Sequence, residues 1–182
     1  MKAMADGELA IIPTDTNYAA VCSINSKKGI SRLYGINTGR HEKKITLICS
    51  DLKDISLYAN VSNPAYRLMK SLVPGPYTFI LDASRLVPKM VLTKRRTVGV
   101  RAPDHPACLS LPRELEGALL AVSVKEQAGA EGGGDEVGAL ARIFRNEASF
   151  LLDAGNLDSE SSTIIDLTGE EYEIVRQGKG KI

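Results

Sequence analysis

The sequence has few cysteines, few histidines and no tryptophan. Its cysteines, Cys22, Cys49 and Cys108, are widely separated and form no CxxC pair, so the sequence argues against a disulfide framework and a zinc site. Cys22 and Cys49 lie in apolar, strand-like runs, where buried small side chains are favoured over reactive thiols. This usage fits a reducing cytoplasm. With His41 and His105 as the only histidines, no nucleophilic triad is evident.

Long apolar runs and an excess of one charge are also missing. No apolar run approaches the roughly 18 residues that a membrane span needs, and residues 1–6 lack the apolar stretch of a signal peptide. We therefore expect a soluble, cytoplasmic protein without a membrane partner. The formal net charge of +1 supplies no overall field for nucleic acid, so RNA binding would need cations gathered on one face.

One basic run could provide such a face. Lys94, Arg95 and Arg96 are adjacent, with Arg85, Lys89 and Arg101 nearby in sequence, and together they could line one face and contact RNA phosphates. For residues 94–96 taken alone, a solvated loop is the favoured interpretation.

What is present indicates one α/β domain spanning residues 1–182. The composition, 43% hydrophobic and 25% charged, is that of an ordinary globular protein. Apolar periodicity predicts a helix after Ser26, a helix from Asn63 that ends at residues 73–76, and helices over 106–116 and 136–145. Short β-prone runs predict strands over residues 8–12, 45–49, 77–81, 97–100, 119–122, 150–153, 164–167 and 173–175. Several of these strands follow one another directly, which favours a mixed sheet.

A glycine-rich run over residues 128–134 is the one flexible-looking segment. A loose surface loop is the favoured interpretation, because a glycine run adds backbone entropy without contacts. A mobile flap beside a bound nucleotide is the functional alternative.

Residues 11–18 read Ile-Ile-Pro-Thr-Asp-Thr-Asn-Tyr and are the most informative segment. Pro13 disfavours continuation of the apolar strand, so the residues after it are expected in a turn or loop. Thr14, Asp15 and Thr16 then place two hydroxyls and a carboxylate together. On spacing alone, a capping turn and a binding loop are about equally well supported.

Three further motifs follow in order: Leu-Val-Pro-Gly-Pro-Tyr-Thr-Phe-Ile-Leu at 72–81, Thr-Val-Gly-Val-Arg-Ala-Pro-Asp-His-Pro at 97–106, and Ser-Thr-Ile-Ile-Asp-Leu at 162–167 with Val-Arg-Gln-Gly at 175–178. With the opening motif, they resemble the YrdC-like family of threonylcarbamoyl-AMP synthases, most closely its YciO branch. The resemblance implies a single YrdC-like domain: a twisted mixed β-sheet flanked by helices, with a concave groove. Compared with the family, the chain begins within the first helix, so a preceding edge strand is expected to be absent.

The resemblance also implies a reaction. Family members combine L-threonine, bicarbonate and ATP into threonylcarbamoyl-adenylate, the donor for N6-threonylcarbamoylation of tRNA adenosine. Mg²⁺ is expected with the ATP, because bridging phosphate charge is its usual role. By resemblance, Thr14 and Thr16 would hold threonine or the carbamate, and Asp15 would organise the loop. Arg101 is the candidate for a bidentate carboxylate clamp and a catalytic role, with a surface salt bridge as the alternative.

The nucleotide side of the site is also assigned by resemblance. Ser123 stands where the family has a Ser-x-Asn motif, and the remaining candidates are Arg40 (also proposed as catalytic), Lys44, Lys125, Ser162, Thr163 and Arg176. The chain departs from the family pattern at two points. The Lys-x-Arg segment keeps only Arg40, with Lys43 and Lys44 as possible substitutes, and Lys125 replaces the usual asparagine. Lysine donates but cannot accept a hydrogen bond, unlike an asparagine amide.

Two functional hypotheses therefore stand. The first is an ATP- and L-threonine-binding protein that forms threonylcarbamoyl-adenylate for tRNA modification. The second is a non-catalytic RNA- or nucleotide-binding module, with tRNA or double-stranded RNA as its partner, and the two sequence departures motivate it.

Overall fold

The computed structural model describes residues 1–36, 45–124, 135–157 and 160–182. These residues form one ten-stranded mixed sheet with helices packed on its faces. The described strands are β1 (Leu9–Ile12), β2 (Ala19–Ser23), β3 (Thr46–Ile48), β4 (Ala59–Asn60), β5 (Tyr77–Ala83), β6 (Thr97–Arg101), β7 (Leu119–Ser123), β8 (Ala148–Leu151), β9 (Thr163–Asp166) and β10 (Glu173–Arg176). The predicted mixed α/β architecture is confirmed.

The helices are α1 (Lys2–Ala5), α2 (Lys27–Gly35), α3 (Leu52–Tyr58), α4 (Asn63–Leu72), α5 (Pro106–Glu114) and α6 (Glu136–Ile143). Side-chain caps fix several starts, because a side chain satisfies an otherwise unpaired amide of the first turn. Ser26 accepts from the Gly29 amide at α2, and Ser62 accepts from the Ala65 amide at α4.

The sheet runs in the order β10-β9-β5-β6-β3-β7-β2-β1-β8, with β4 paired to β5 beside β9. Three neighbouring pairs are parallel (β1 with β8, β3 with β6, β5 with β9) and the others are antiparallel. The strand registers place the start of β2 beside the end of β7, and the starts of β5 and β9 beside the end of β6. Because β3 is parallel to β6 and antiparallel to β7, these two groups of strand ends lie at opposite ends of the sheet.

The two faces of the sheet differ in how they are covered. One face carries the larger core, where side chains such as Cys22, Leu47 and Leu120 meet Ile30 of α2 and Leu140 of α6. The other face carries a smaller core in which Met4, Ile48, Cys108 and Leu119 take part, together with small residues such as Ala121. Alternation along a strand sends successive side chains to opposite faces. The less covered face is where the cavity lies.

Several predicted boundaries need correction. The helices predicted over 106–116 and 136–145 end at Glu114 and Ile143, and the strand predicted over 150–153 is Ala148–Leu151. Helix α3 was not predicted, because its seven residues are too few to show clear periodicity. Its start is nevertheless capped by Asp51, which accepts from the Asp54 amide.

Candidate functional site

A polar cavity lies over the less covered face of the sheet. Its floor follows the pleat: alternate residues Thr46 and Ile48 of β3 and Ala121 and Ser123 of β7 face it. Ala121 has a small side chain, so this part of the sheet leaves room above the floor. The rest of the lining is mostly polar: Thr14, Asn17, Ala19, Thr78, Arg101, Val122, Ser161, Ser162, Ile164 and Arg176.

The loop between β1 and β2 is organised around the Thr14 hydroxyl. Thr14 Oγ1 donates to the Asn17 carbonyl at 2.7 Å and accepts from the amides of Thr16 and Asn17 at 3.1 and 3.2 Å. Thr16 Oγ1 lies 3.0 Å from Thr14 Oγ1. Since the Thr14 proton is used on the Asn17 carbonyl, Thr16 is the donor of that pair. Both hydroxyls stabilise the loop, and their predicted role as substrate ligands stays a prediction.

The carboxylate of Asp15 joins this loop to the end of β6. One oxygen accepts from Arg101 Nη2, and the other accepts from the Asp104 amide at 3.0 Å. Arg101 Nη2 also donates to Thr16 Oγ1 at 2.9 Å. Two segments that are more than eighty positions apart in sequence are thus linked by one guanidinium group.

Arg101 forms an ion pair with Asp15, but with 9% of its surface exposed this is a buried ion pair and not the surface salt bridge of the alternative interpretation. Burial lowers the pKa of its guanidinium, and the neighbouring Asp15 carboxylate raises it. Its Nε has no hydrogen-bond partner among the described residues, although the atom is buried. An unpaired buried donor is costly, and Arg101 lines the cavity. A ligand oxygen that accepts from Nε would remove that cost.

The opposite wall comes from the start of β9 and the end of β10. Ser162 Oγ and Thr78 Oγ1 are 2.9 Å apart, and the exposed Arg176 donates to the Ser162 carbonyl through Nη2 at 2.7 Å. Thr163 is fully buried, and its hydroxyl donates to the Gly180 carbonyl at 2.6 Å. Ser162 and Arg176 line the cavity. Thr163 does not, and its hydroxyl holds the chain segment that follows β10.

That final segment was not identified from the sequence as part of the site. Lys179 Nζ donates to the Asp15 carbonyl at 2.9 Å, and Tyr77 Oη donates to the Lys181 carbonyl at 2.6 Å. A lysine near a chain end carries no recognisable motif. Asn17 was also missed, and its Oδ1 accepts from Ser123 Oγ at 3.1 Å. Its place in the opening motif was the available signal.

The structure thus brings Thr14, Arg101, Ser123, Ser162 and Arg176 around one cavity, with Thr16 behind it. Three other predicted nucleotide residues, and the glycine-rich run, lie outside the described residues: Arg40, Lys44 and Lys125.

Two titratable groups near the site have packing roles. Cys108 Sγ donates to the Pro13 carbonyl at 3.4 Å, and burial raises the pKa of its thiol to about 12. His105 Nδ1 accepts from the Ala107 amide and caps α5, and burial lowers its pKa. Cys22 is also buried, with its pKa raised to about 12. The interpretation of Cys22 and Cys49 as buried small residues is confirmed.

Within the described ranges, His, Cys, Asp and Glu side chains form no group of three that could hold a metal ion. In the same ranges, no helix is both long and apolar enough to cross a membrane.

Comparison with known proteins identifies relatives over nearly the whole chain. The Sua5/YciO/YrdC family model, described as "Telomere recombination", matches residues 2–178. An uncharacterised Haemophilus influenzae protein is 34% identical over 99% of this chain and 87% of its own length. Escherichia coli YciO, also uncharacterised, is 33% identical over 97% of this chain and 85% of its own length. The mouse threonylcarbamoyl-AMP synthase is 31% identical over 94% of this chain and 63% of its own length.

Solved structures agree. The crystal structure of Escherichia coli YciO superimposes with a TM-score of 0.86 at 32% identity, covering 99% of this chain and 87% of that one. Pyrococcus abyssi Sua5 complexed with L-threonine gives a TM-score of 0.79 at 24% identity, covering 97% of this chain and 52% of that one. At that identity, the Sua5 likeness shows the fold alone.

Proposed function

Because the chain belongs to the Sua5/YciO/YrdC family and stands with its YciO branch, we propose that it binds L-threonine and ATP and forms threonylcarbamoyl-adenylate from them and bicarbonate. The product would serve tRNA N6-threonylcarbamoylation. The observation that carries the proposal is the buried Arg101, whose Nε lacks a partner in the described chain.

The threonine carboxylate is the group we assign to Arg101. Nη2 is already engaged with Asp15 and Thr16, so Arg101 cannot offer that atom as well to a carboxylate without rearrangement. The bidentate clamp expected from the sequence is therefore reduced to a charge-assisted hydrogen bond from Nε. The Asp15 carboxylate fixes the guanidinium plane, and a planar group held in place loses little entropy on binding.

The reaction needs positioning more than a protein nucleophile. The threonine amine and bicarbonate give a carbamate with loss of water, and a carbamate oxygen then attacks the α-phosphorus of ATP while diphosphate leaves. Donors that meet the developing phosphate charge accelerate such a step. Ser123, Ser162 and Arg176 surround the cavity and could supply them.

Mg²⁺ fits this scheme as an ion carried by the ATP phosphates. In nucleotide sites, Mg²⁺ keeps several waters and binds one or two carboxylates together with phosphate oxygens.

The test is incorporation of labelled bicarbonate by the purified chain with ATP, Mg²⁺ and L-threonine. We expect threonylcarbamoyl-adenylate and diphosphate in equal amounts, and neither when threonine is omitted. If Lys125 limits catalysis, Lys125→Asn will raise the rate. Absence of product from folded, ATP-binding protein would contradict the synthase proposal and favour the non-catalytic binding module.

A further inference from the structure

An acidic groove that shares no lining residue with the cavity lies between α4 and the connection from β9 to β10. Its side chains include Tyr172 and Ile174, which are 51% and 42% exposed. Such exposure of large apolar groups in one place is typical of an interaction site. Its lining contains three glutamates and no lysine or arginine: Glu170, Glu171 and Glu173.

A basic segment over residues 84–96 has the opposite character. Leu86 and Met90 are 63% and 50% exposed within it. No aspartate or glutamate occurs from residue 83 to residue 103. Its exposed cations are Arg85, Lys89, Lys94, Arg95 and Arg96.

The charged side chains of both surfaces have no ion-pair partner among the described residues. Among the ion pairs of the described residues, none involves a glutamate of the acidic groove or a cation of the basic segment. Each surface therefore has exposed apolar side chains surrounded by charges of one sign that lack a partner in the described chain.

The sheet places the two surfaces next to each other. Strand β4 leads directly into α4, which forms one side of the acidic groove, and β5 leads directly into the basic segment. Asn60 of β4 pairs with Asp82 of β5, and the Leu167 amide at the groove donates to the Ile80 carbonyl at 2.9 Å. The acidic groove and the basic segment thus flank one pair of strands.

We propose that two copies of this chain associate about a two-fold axis, with the basic segment of each copy seated in the acidic groove of the other. A two-fold contact is self-complementary, and adjacent surfaces of opposite charge on one chain satisfy that requirement. The contact would cover Tyr172 and Ile174 of one copy with Leu86 and Met90 of its partner. The charges at its rim would steer association and make it salt-sensitive.

RNA would explain only half of these observations. Phosphates would pair with the basic segment and be repelled by the glutamates, leaving the acidic groove with its exposed apolar side chains unexplained. RNA binding is therefore an alternative that the experiment must separate from dimerisation. The proposal does not depend on the proposed function.

The test is the mass of the nucleic-acid-free chain in sedimentation equilibrium at low and high salt. We expect a dimer at low salt that weakens as salt rises. Glu170→Lys with Glu171→Lys and, separately, Arg95→Glu with Arg96→Glu should each weaken association about tenfold or more, because charges then repel at both contacts. Mixing the two variants should restore a dimer containing one copy of each, because both contacts then join opposite charges.

Control reversals at exposed positions elsewhere, Glu114→Lys on α5 and Lys53→Glu on α3, should leave the dimer intact. A monomeric wild-type chain at low salt would overturn the proposal, and so would charge-reversed variants that remain dimeric. A mixture that stays monomeric would also overturn it. If the variant with Arg95→Glu and Arg96→Glu lost RNA binding while the mixture stayed monomeric, the basic segment would be an RNA-binding surface and not a dimer contact. Open, higher-mass assemblies would contradict the two-fold arrangement.

Discussion

The two walls of the cavity are built in different ways. One wall, here called the β1–β6 wall, consists of the loop after β1 and the end of β6. Its residues Thr14, Thr16 and Arg101 are at most 9% exposed and share hydrogen bonds within one network. On the β9–β10 wall, Ser162 is buried but Arg176 is exposed at the end of the outermost strand β10.

This difference suggests a division of labour. A buried network of shared hydrogen bonds holds one geometry, because displacement would leave further polar groups unpaired. Arg176 donates to the Ser162 carbonyl through Nε and Nη2, but because it is exposed on an edge strand, water can replace these hydrogen bonds when the side chain moves. We infer that the β1–β6 wall recognises the small, defined threonine, whereas the β9–β10 wall accommodates the larger nucleotide.

We expect the largest difference between the two walls when one arginine is removed from each. Arg101→Met leaves the Asp15 carboxylate without its cation in a buried place, and we expect a loss of about 3–5 kcal/mol in the free energy of unfolding. Arg176→Met removes an exposed side chain and should cost about 1 kcal/mol or less. Urea denaturation measures both.

Asp15→Asn provides the control for the Arg101 result. In the double variant with Arg101→Met, the loss should be clearly smaller than the sum of the two single losses, because no charge is left unpaired. Additive losses would show that the ion pair does not hold the β1–β6 wall together.

The hydroxyl groups of the two walls offer a second comparison. Thr14→Val keeps the shape of the side chain but leaves the Thr16 and Asn17 amides without their acceptor, so we expect a loss of about 2–3 kcal/mol in unfolding free energy. Ser162→Ala removes the contact with Thr78 and should cost about 1 kcal/mol. Equal losses in urea denaturation would remove the distinction between the walls.

The segment after β10 can be displaced by a single methyl group. A Cβ at Gly180 would lie 2.3 Å from the Tyr77 ring, so Gly180→Ala should cost about 1–2 kcal/mol and weaken the packing of the segment. Hydrogen exchange at the Lys179 amide, which donates to the Ser161 carbonyl, should accelerate. Gly35→Ala is the matched control, since a Cβ there meets nothing within 4 Å. Unchanged hydrogen exchange at the Lys179 amide would show that the Tyr77 ring moves to accommodate the added methyl group, so that the segment stays in place.

An exposed ion cluster gives the smallest expected effect and a reference for the buried pair. Hydrogen bonds from Lys28, Arg32 and Ser149 lower the pKa of Glu8 from 4.5 to about 2. Because the folded pKa is depressed, the stabilisation is complete above pH 4.5 and is lost as the pH falls toward 2.

The melting temperature measured against pH checks this expectation. The difference between wild type and Glu8→Gln should shrink over that acidic window, whereas Glu114→Gln, which removes an exposed carboxylate on α5, is the control. A difference that does not change with pH would show that the cluster does not stabilise the fold.

Much of the fold could be predicted from the sequence. Runs of β-branched and aromatic residues predicted strands such as β5 and β6, and Ser26 predicted the start of α2. Short elements such as α3 and β4 were not predicted, because they form through packing and strand pairing that a local sequence pattern does not show.

The sequence predicted several residues of the candidate site, but not the hydrogen bonds and ion pairs between them. Arg101 was identified from the sequence as a cation at a strand end. Its ion pair with Asp15 was not predicted, because only the folded sheet brings these two segments together. Lys179 carried no signal, because its contact with the Asp15 carbonyl follows from the path of the chain after β10. Roles that depend on which donor remains unpaired, such as that of Arg101 Nε, require the geometry.

The most direct measurement compares calorimetric binding of L-threonine with that of its methyl ester. The ester keeps the side chain and the amine but removes the carboxylate charge that Arg101 is proposed to recognise. Our account predicts that L-threonine binds and that the ester binds at least about tenfold more weakly, the effect of losing one charge-assisted hydrogen bond. Equal affinity for the two, or no binding of L-threonine to the folded chain, would contradict it.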